Sequence, residues 1–318
     1  MGDELLVSVY CLAYNHEKYI RMALEGFVSQ KTTFKYEVFV HDDASTDNTA
    51  EIIREYAEKY PEIIKPIFQT ENQYSQGVKI VTKYIYPKMQ GKYVAICEGD
   101  DYWCDNLKLQ KQVDFLEAHA EYSACVHKTR IFNVKKNRYE GCISKAKKDT
   151  DLFFKDVIYG GSSAYHTSSL LMKREYCFNR PSYFQVAKGY GDYPLSVYLT
   201  TDSKIRCLSD TMSVYRWYSS PTSWSAKMDC DEKKFLAHIE NVCAFLEKVK
   251  EYVSKEQIAE VDKAIIRYKI RYEKLKGNYS IIKTEPYKSV YKQQSFSFKL
   301  KFFIKKNFSW LYRIIKKL

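Results

Sequence analysis

The chain has 318 residues, 45% of them apolar, and a net charge of +12. That is one large domain, or one domain with a helical addition, and enough apolar material for a core. Nine positive charges and no acid follow Glu285, so the body before it is nearly balanced. This argues against a nucleic-acid-binding body and points the basic tail at an anionic membrane surface or an acidic partner.

The nine cysteines fall at irregular spacing, without a CxxC pair or a zinc-like His/Cys cluster. Reduced thiols in the cytoplasm are the simplest reading. The opening "MGDELLVSVYCLAYN" lacks the basic start of a signal peptide. No run of 18 or more apolar residues offers a spanning helix. The 29 tyrosines and 17 phenylalanines are either compositional drift or a surface for sugars or lipid headgroups.

In chain order, "LLVSVY" from Leu5 predicts a buried strand, and Ile20, Leu24, Phe27 and Val28 carry helical spacing. "YEVFVHDD" predicts a second strand ending in acid. "STDNTAEIIREYAEKY" predicts a helix capped by Ser45 or Thr46, with Asp47 and Glu51 at its positive end. "IIKPIF" and "KYVAICEGDD" predict two more strands, and "LKLQKQVDFLEAH" an amphipathic helix. Strand and helix alternate as in a parallel sheet covered by helices. Ligands bind such sheets beyond the carboxyl ends of the strands. The acids of "VHDDAST" and "ICEGDD" should therefore share one edge. Asp105 alone could cap the next helix, so Glu98, Asp100 and Asp101 are surplus to capping.

The middle of the chain is less regular. "SACVHKTRIFNV" predicts a strand, "KKNRYEGCISKAKKDTD" a polar loop, and "SSAYHTSSLLMKRE" a strand opening with small polar residues. "GYGDYPLSVYLTT" opens a helix with Asp192 in its first turn, and "KIRCLSDTMSVYRWY" predicts two short strands. From residue 229 the chain turns helical and charged. His41 and His127 read as structural; His166 is the candidate exception. Trp103 should pack under the acidic loop.

These pieces resemble the family 2 glycosyltransferases. The likeness is carried by "VSVYCLAYNHEKYIRMALEGFVSQ", "YEVFVHDDASTDNTAEIIREYA" and "KYVAICEGDDYWCDNLKLQKQVDFLE", then by "SSLLMKRE", "GYGDYPLSVYL" and "SVYRWYSSPTSWS". It implies an α/β GT-A fold, a Rossmann-like, mostly parallel sheet flanked by helices, with a C-terminal helical extension. The expected division is 1–225 for the transferase domain, 226–285 for the helical extension and 286–318 for the tail.

The resemblance implies an inverting, hexosyltransferase-type enzyme. It would move a sugar from a nucleotide sugar, expected to be UDP-linked, to a glycan or lipid-linked acceptor in bacterial surface polysaccharide synthesis. A diphosphate leaving group calls for a divalent cation, Mn²⁺ or Mg²⁺, on carboxylate oxygen. By position, Asp43 would contact the base with Asp42 beside it, and Tyr14 and Asn15 would line that pocket. Asp100 would lie near the ribose or metal, and Asp101 would be a metal ligand. Asp192 would be the general base. Glu98 stands where the family usually has aspartate, and Tyr218 where relatives often have histidine. Arg216 or Lys79 would then supply charge to the leaving group. A non-catalytic nucleotide-sugar-binding module tethered to the membrane is the alternative.

In the tail, Leu300, Phe303, Ile304, Phe308, Leu311, Ile314, Ile315 and Leu318 share one helical face, lysines and Arg313 the other, and Phe302 is the misfit. A basic amphipathic helix of this kind is expected to lie on an anionic membrane. The protein would then sit in the cytoplasm, at the inner face of the cell membrane, with no nucleic-acid partner.

Overall fold

The computed structural model describes residues 4–144, 146–220, 226 and 231–308. Tail positions beyond Phe308, and residues 221–225 of the last family-like stretch, lie outside the described residues. The chain divides into two compact units, Met1–Arg180 with Leu195–Ser223, and Pro181–Pro194 with Trp224–Leu318.

The first unit is built on strands β1 (Leu5–Ala13), β2 (Lys35–Asp42), β3 (Ile64–Phe68), β4 (Tyr93–Ile96), β5 (Tyr102–Trp103), β6 (Tyr122–Asn133), β7 (Arg138–Ile143), β8 (Thr150–Leu152), β9 (Leu171–Lys173) and β10 (Lys204–Trp217). They form one mixed sheet in the order β3-β2-β1-β4-β9-β6-β10-β5, with β7 on β6 and β8 on β10. Pairing is parallel among β3, β2, β1 and β4, and between β6 and β10; β9 joins the two parts antiparallel to both β4 and β6. The alternating first third of the sequence thus gives the parallel part, as expected.

Helices α1 (Ile20–Val28), α2 (Thr49–Lys59) and α3 (Lys108–Ala118) supply Leu24, Phe27, Ile53, Leu109 and Val113 to the core around Val7, Val9, Val38 and Val40. Strands β1 and β2 are buried almost throughout, which explains their continuous apolar runs. Helix α2 starts later than its sequence signals suggest. Asn48 is its N-cap residue, and Asp47 Oδ1 accepts from Thr49 N.

Two stretches differ from expectation. The polar stretch from residue 135 contains β7, because Asn137 (φ 47°) turns the chain back onto β6, and runs into β8, which pairs antiparallel with β10. The two short strands expected at 204–217 are one strand. Its register shifts between Leu208 and Ser213, so an irregularity within one strand stands where a break between two was expected.

In the second unit, α5 (Tyr183–Val186), following α4 (Phe154–Gly160) of the first, packs on α7 (Glu232–Val249) through Tyr183 and Phe245. Helix α6 (Asp192–Thr201) lies between α5 and β10 in the chain. Helix α8 (Lys255–Leu275) begins at a Ser254/Gln257 capping box and ties to α7 through Tyr272 and Glu240. Helices α9 (Tyr287–Lys292) and α10 (Phe296–Asn307) complete the unit around Ile270, Val290 and Phe302. Phe302, the misfit of the sequence reading, is 1% exposed and anchors α10.

Candidate active site

Past Ile96, Cys97 N and Gly99 N still donate to Tyr10 O and Leu12 O of β1. The chain then turns, and Asp101 N donates to Glu98 O. The β1 ladder therefore fixes where the acids emerge. Gly99 makes the fit possible: a Cβ there would stand 2.9 Å from His16 Nδ1 and 3.2 Å from Ala13 Cβ.

Asp101 is 2% exposed, while Glu98 and Asp100 are half-buried. Burial, then the Asp100 charge, pushes the Glu98 carboxyl up to about 8. The same two causes, in the same order, raise Asp101 well above the carboxylate range. Carboxyl groups that resist ionisation while crowded together favour a bound cation.

Arg216, near the end of β10, braces the turn. Its N–H donates to Asp101 Oδ1 at 2.8 Å, and its Nη1 to Asp100 O at 2.7 Å. The guanidinium lies 5.0 Å from the Tyr19 ring centre and 4.6 Å from that of Tyr102. Ser219 Oγ donates to Asp100 Oδ2 at 2.7 Å, and Tyr19 Oη donates to Ser219 O. The sequence reading expects charge at the leaving group from Arg216 or Lys79; in the structure the Arg216 guanidinium is bonded to the turn itself. Tyr19 and Ser219 escaped that reading, and only their nearness to the motif residues could have flagged them.

Behind Asp101 runs a buried polar chain. His166 Nδ1 lies 3.7 Å from Asp101 Oδ2 and 2.8 Å from Ser168 Oγ. Ser168 Oγ donates to Ser213 Oγ, which meets Thr129 Oγ1. The His166 ring stacks on Tyr215 at 4.3 Å, and burial lowers its pKa to about 4. Trp103 packs below the turn as expected, its Nε1 donating to Ser168 O. His127 and His41 are buried in strands, in keeping with structural roles.

At the end of β2, Asp42 Oδ2 accepts from Ser45 N, while its buried Oδ1 has no hydrogen-bond partner among the described residues. Asp43 accepts from Gln73 N at 2.8 Å and Tyr74 N at 3.0 Å, so it organises the loop after β3. Asn15 (φ 55°) accepts from Thr46 N and donates its own N–H to Ser45 Oγ, stitching the β1 and β2 loops. Tyr14 beside it is 44% exposed. Lys79 is exposed and makes no ion pair among the described residues. The geometry thus brings Asp42, Asp43, Asn15, Tyr14 and the acidic turn to the carboxyl ends of adjacent strands β2, β1 and β4. No hydrogen bond or ion pair among the described residues joins the Lys79 side chain to them.

Tyr218 adopts φ 60° at the end of β10, stacked on Trp217. Asp192 belongs to the second unit, where it opens α6. Burial raises its carboxyl above the usual range. Neighbouring Tyr190 and Tyr193 pack on Phe245 of α7.

Among the described residues, no three His, Cys, Asp or Glu side chains converge as a closed metal cage. The donor set does fit a divalent ion shared with a phosphate ligand, since such ions keep waters and take one or two protein carboxylates. Asp100 Oδ1 and Asp101 Oδ2 accept no hydrogen bond from a described residue and would be the ligand oxygens.

Residues 8–177 match the family model Glycosyl transferase family 2. An uncharacterized protein of Mycobacterium tuberculosis is 36% identical over 227 residues, covering 68% of this chain and 62% of that protein. The chain thus spans under two thirds of the length of such curated relatives. The UDP-Glc:α-D-GlcNAc-diphosphoundecaprenol β-1,3-glucosyltransferase WfaP of Escherichia coli is 33% identical over 113 residues, 35% of this chain and 41% of that one. S. aureus TarS (residues 1–349), solved in complex with UDP-GlcNAc, shares the fold with a TM-score of 0.60 at 18% identity, covering 90% of this chain and 78% of that one.

Proposed function

The chain belongs to glycosyl transferase family 2, and from that premise we propose that it transfers a sugar from a nucleotide sugar to a glycan or lipid-linked acceptor. The observation that carries the reading is the acidic turn, which crowds Glu98, Asp100 and Asp101 at the edge where Asp42 keeps an open acceptor oxygen. UDP as the nucleotide and a diphospholipid-linked acceptor are supported by the ligands named for TarS and WfaP.

In this reading Asp42 and Asp43 receive the base side of the donor, and Tyr14 and Asn15 wall the pocket. Asp100 and Asp101 would hold Mn²⁺ or Mg²⁺, which would neutralise the diphosphate as it leaves. Asp192 takes the acceptor hydroxyl proton. The acceptor oxygen bonds to the anomeric carbon from the face opposite the departing diphosphate, so the configuration inverts. A base with raised proton affinity suits that transfer at neutral pH.

The membrane part of the proposal rests on α10. Phe296, Leu300 and Phe303 are exposed and spaced on one side of the helix, opposite the Phe298/Phe302 side packed into the unit. Lys299, Lys301 and Lys306 flank that stripe. No helix of the described residues is long and apolar enough to cross a membrane. We therefore place the protein peripherally, on an anionic cytoplasmic leaflet, with residues 286–318 as its contact.

The test is release of nucleoside diphosphate from a panel of nucleotide sugars with Mn²⁺ or Mg²⁺, using crude lipid-linked glycan as acceptor. Asp101→Asn should abolish release and weaken donor binding, and Asp192→Asn should abolish transfer while donor binding persists. Donor binding without turnover in the unaltered protein would return the non-catalytic reading.

A further inference from the structure

Beyond the donor edge, the sheet carries a second patch on the other side of the acidic turn. Strand pairing places Tyr102 opposite Val214, Val214 opposite Arg130, Arg216 opposite Phe132, and Phe132 opposite Tyr139. Tyr102 Oη and Tyr139 Oη approach to 3.4 Å, and Phe132 meets Tyr139 edge-on at 5.2 Å. Tyr139 is 47% exposed; Tyr102, Phe132, Trp217 and Tyr218 are half-buried. A folding core gains nothing from leaving these rings at the surface.

The charges around them are uneven. Glu140 pairs with Lys136 and with Arg138. Arg130 instead lies 4.4 Å from the Tyr139 ring centre and Lys135 4.0 Å from that of Tyr218, with no carboxylate partner for either among the described residues. Aromatic faces take the C–H faces of sugars while phenol groups hydrogen-bond hydroxyls. Cations held on rings remain open to an incoming anion.

We infer that this face, on the β6–β7 hairpin and the end of β10, is an acceptor subsite for a saccharide bearing a carboxylate or phosphate. Resting on the transferase reading above, it names the acceptor's chemistry. Two observations make it an acceptor rather than a donor surface. It is continuous with the acidic turn, since Tyr102 follows Asp101 and stacks on Arg216. And Asp42 ends β2 and Asp43 follows it, toward the opposite end of the strand order from β10 and β5.

The experiment is saturation-transfer NMR on the full chain, loaded with UDP to fill the donor pocket. The probes are methyl β-glucuronide, glucose 6-phosphate and neutral methyl β-glucoside. At least one acidic probe should bind threefold or more tighter than the glucoside. Tyr139→Ala and Arg130→Gln should each weaken it about tenfold, Tyr139→Phe should restore it, and UDP affinity should not move. Absence of acidic-probe binding, equal binding of the glucoside, or unchanged binding in the folded Ala and Gln variants would overturn the subsite. Failure of UDP itself to bind would strike the nucleotide reading instead, and the same titration without UDP would still decide the subsite.

Discussion

The main-chain N–H of Arg216 donates to Asp101 Oδ1 at 2.8 Å across 115 positions of sequence. The last strand of the sheet therefore orients an acid that the fourth strand delivers. Either partner alone would leave a buried carboxyl without direction.

Arg216→Lys keeps that N–H but loses the guanidinium between Tyr19 and Tyr102 and its planar bond to Asp100 O. Stacking of a partly desolvated cation and a charged hydrogen bond together contribute about 2–4 kcal/mol. The variant should unfold at lower denaturant by about that amount and bind Mn²⁺ more weakly. Unchanged stability and metal affinity would refute the bracing role.

Gly99→Ala tests the packing of the turn. The added Cβ would meet His16 Nδ1 at 2.9 Å and Ile20 Cδ1 at 3.0 Å, inside ordinary contact distance. Overpacking of this kind costs about 1–3 kcal/mol. Thermal unfolding should show it, together with a loss in nucleotide affinity; an unchanged midpoint would refute the close fit.

Much of this arrangement was legible in the sequence because it is local. Apolar runs ending in acid gave β2 and β4, and an α/β alternation gave the parallel edge that collects them. What stayed hidden depends on long-range pairing. Nothing near Arg216 marks it as a brace, since its partners Asp100, Asp101, Tyr19 and Tyr102 come from distant segments. The β7 strand was hidden by its polarity, because an edge hairpin needs no apolar alternation when β6 supplies the ladder. The tail helix was found by its period, but its buried side was misjudged: one phenylalanine, Phe302, inserts among Ile270 of α8, Tyr279 after it and Val290 and Tyr291 of α9.

Lys108 offers a pH test away from the acids. It is fully buried, its Nζ donating to Gln112 Oε1 and lying 4.1 Å from the Trp103 ring centre. Burial lowers its pKa from 10.5 to about 7. The folded protein thus binds fewer protons than the unfolded chain between those values, so stability gains from this group as pH rises through that window. Below pH 7 its full cost is present. In Lys108→Met the slope of unfolding free energy against pH from 7 to 10 should fall by up to about 1.4 kcal/mol per pH unit relative to the unaltered protein. Parallel pH curves for the two proteins would contradict the assignment.

Helix α10 lets anchoring be tested apart from the proposed membrane contact, because its two sides carry different phenylalanines. Phe302 is 1% exposed and meets Tyr279 and Tyr291 edge-on or tilted within 5.4 Å, whereas Phe303 is 54% exposed. Phe302→Ala removes a filled core position and should cost about 3–5 kcal/mol. Phe303→Ser removes no buried contact and should leave the unfolding midpoint within about 0.5 kcal/mol of its starting value. On vesicles containing phosphatidylglycerol the order should reverse. Phe303→Ser, combined with Leu300→Ser, should lower partitioning on the order of tenfold, since each withdraws a large apolar side chain from the interface. Flotation of the double variant at the level of the unaltered protein would show that the exposed stripe does not meet lipid, even if the helix is docked through Phe302.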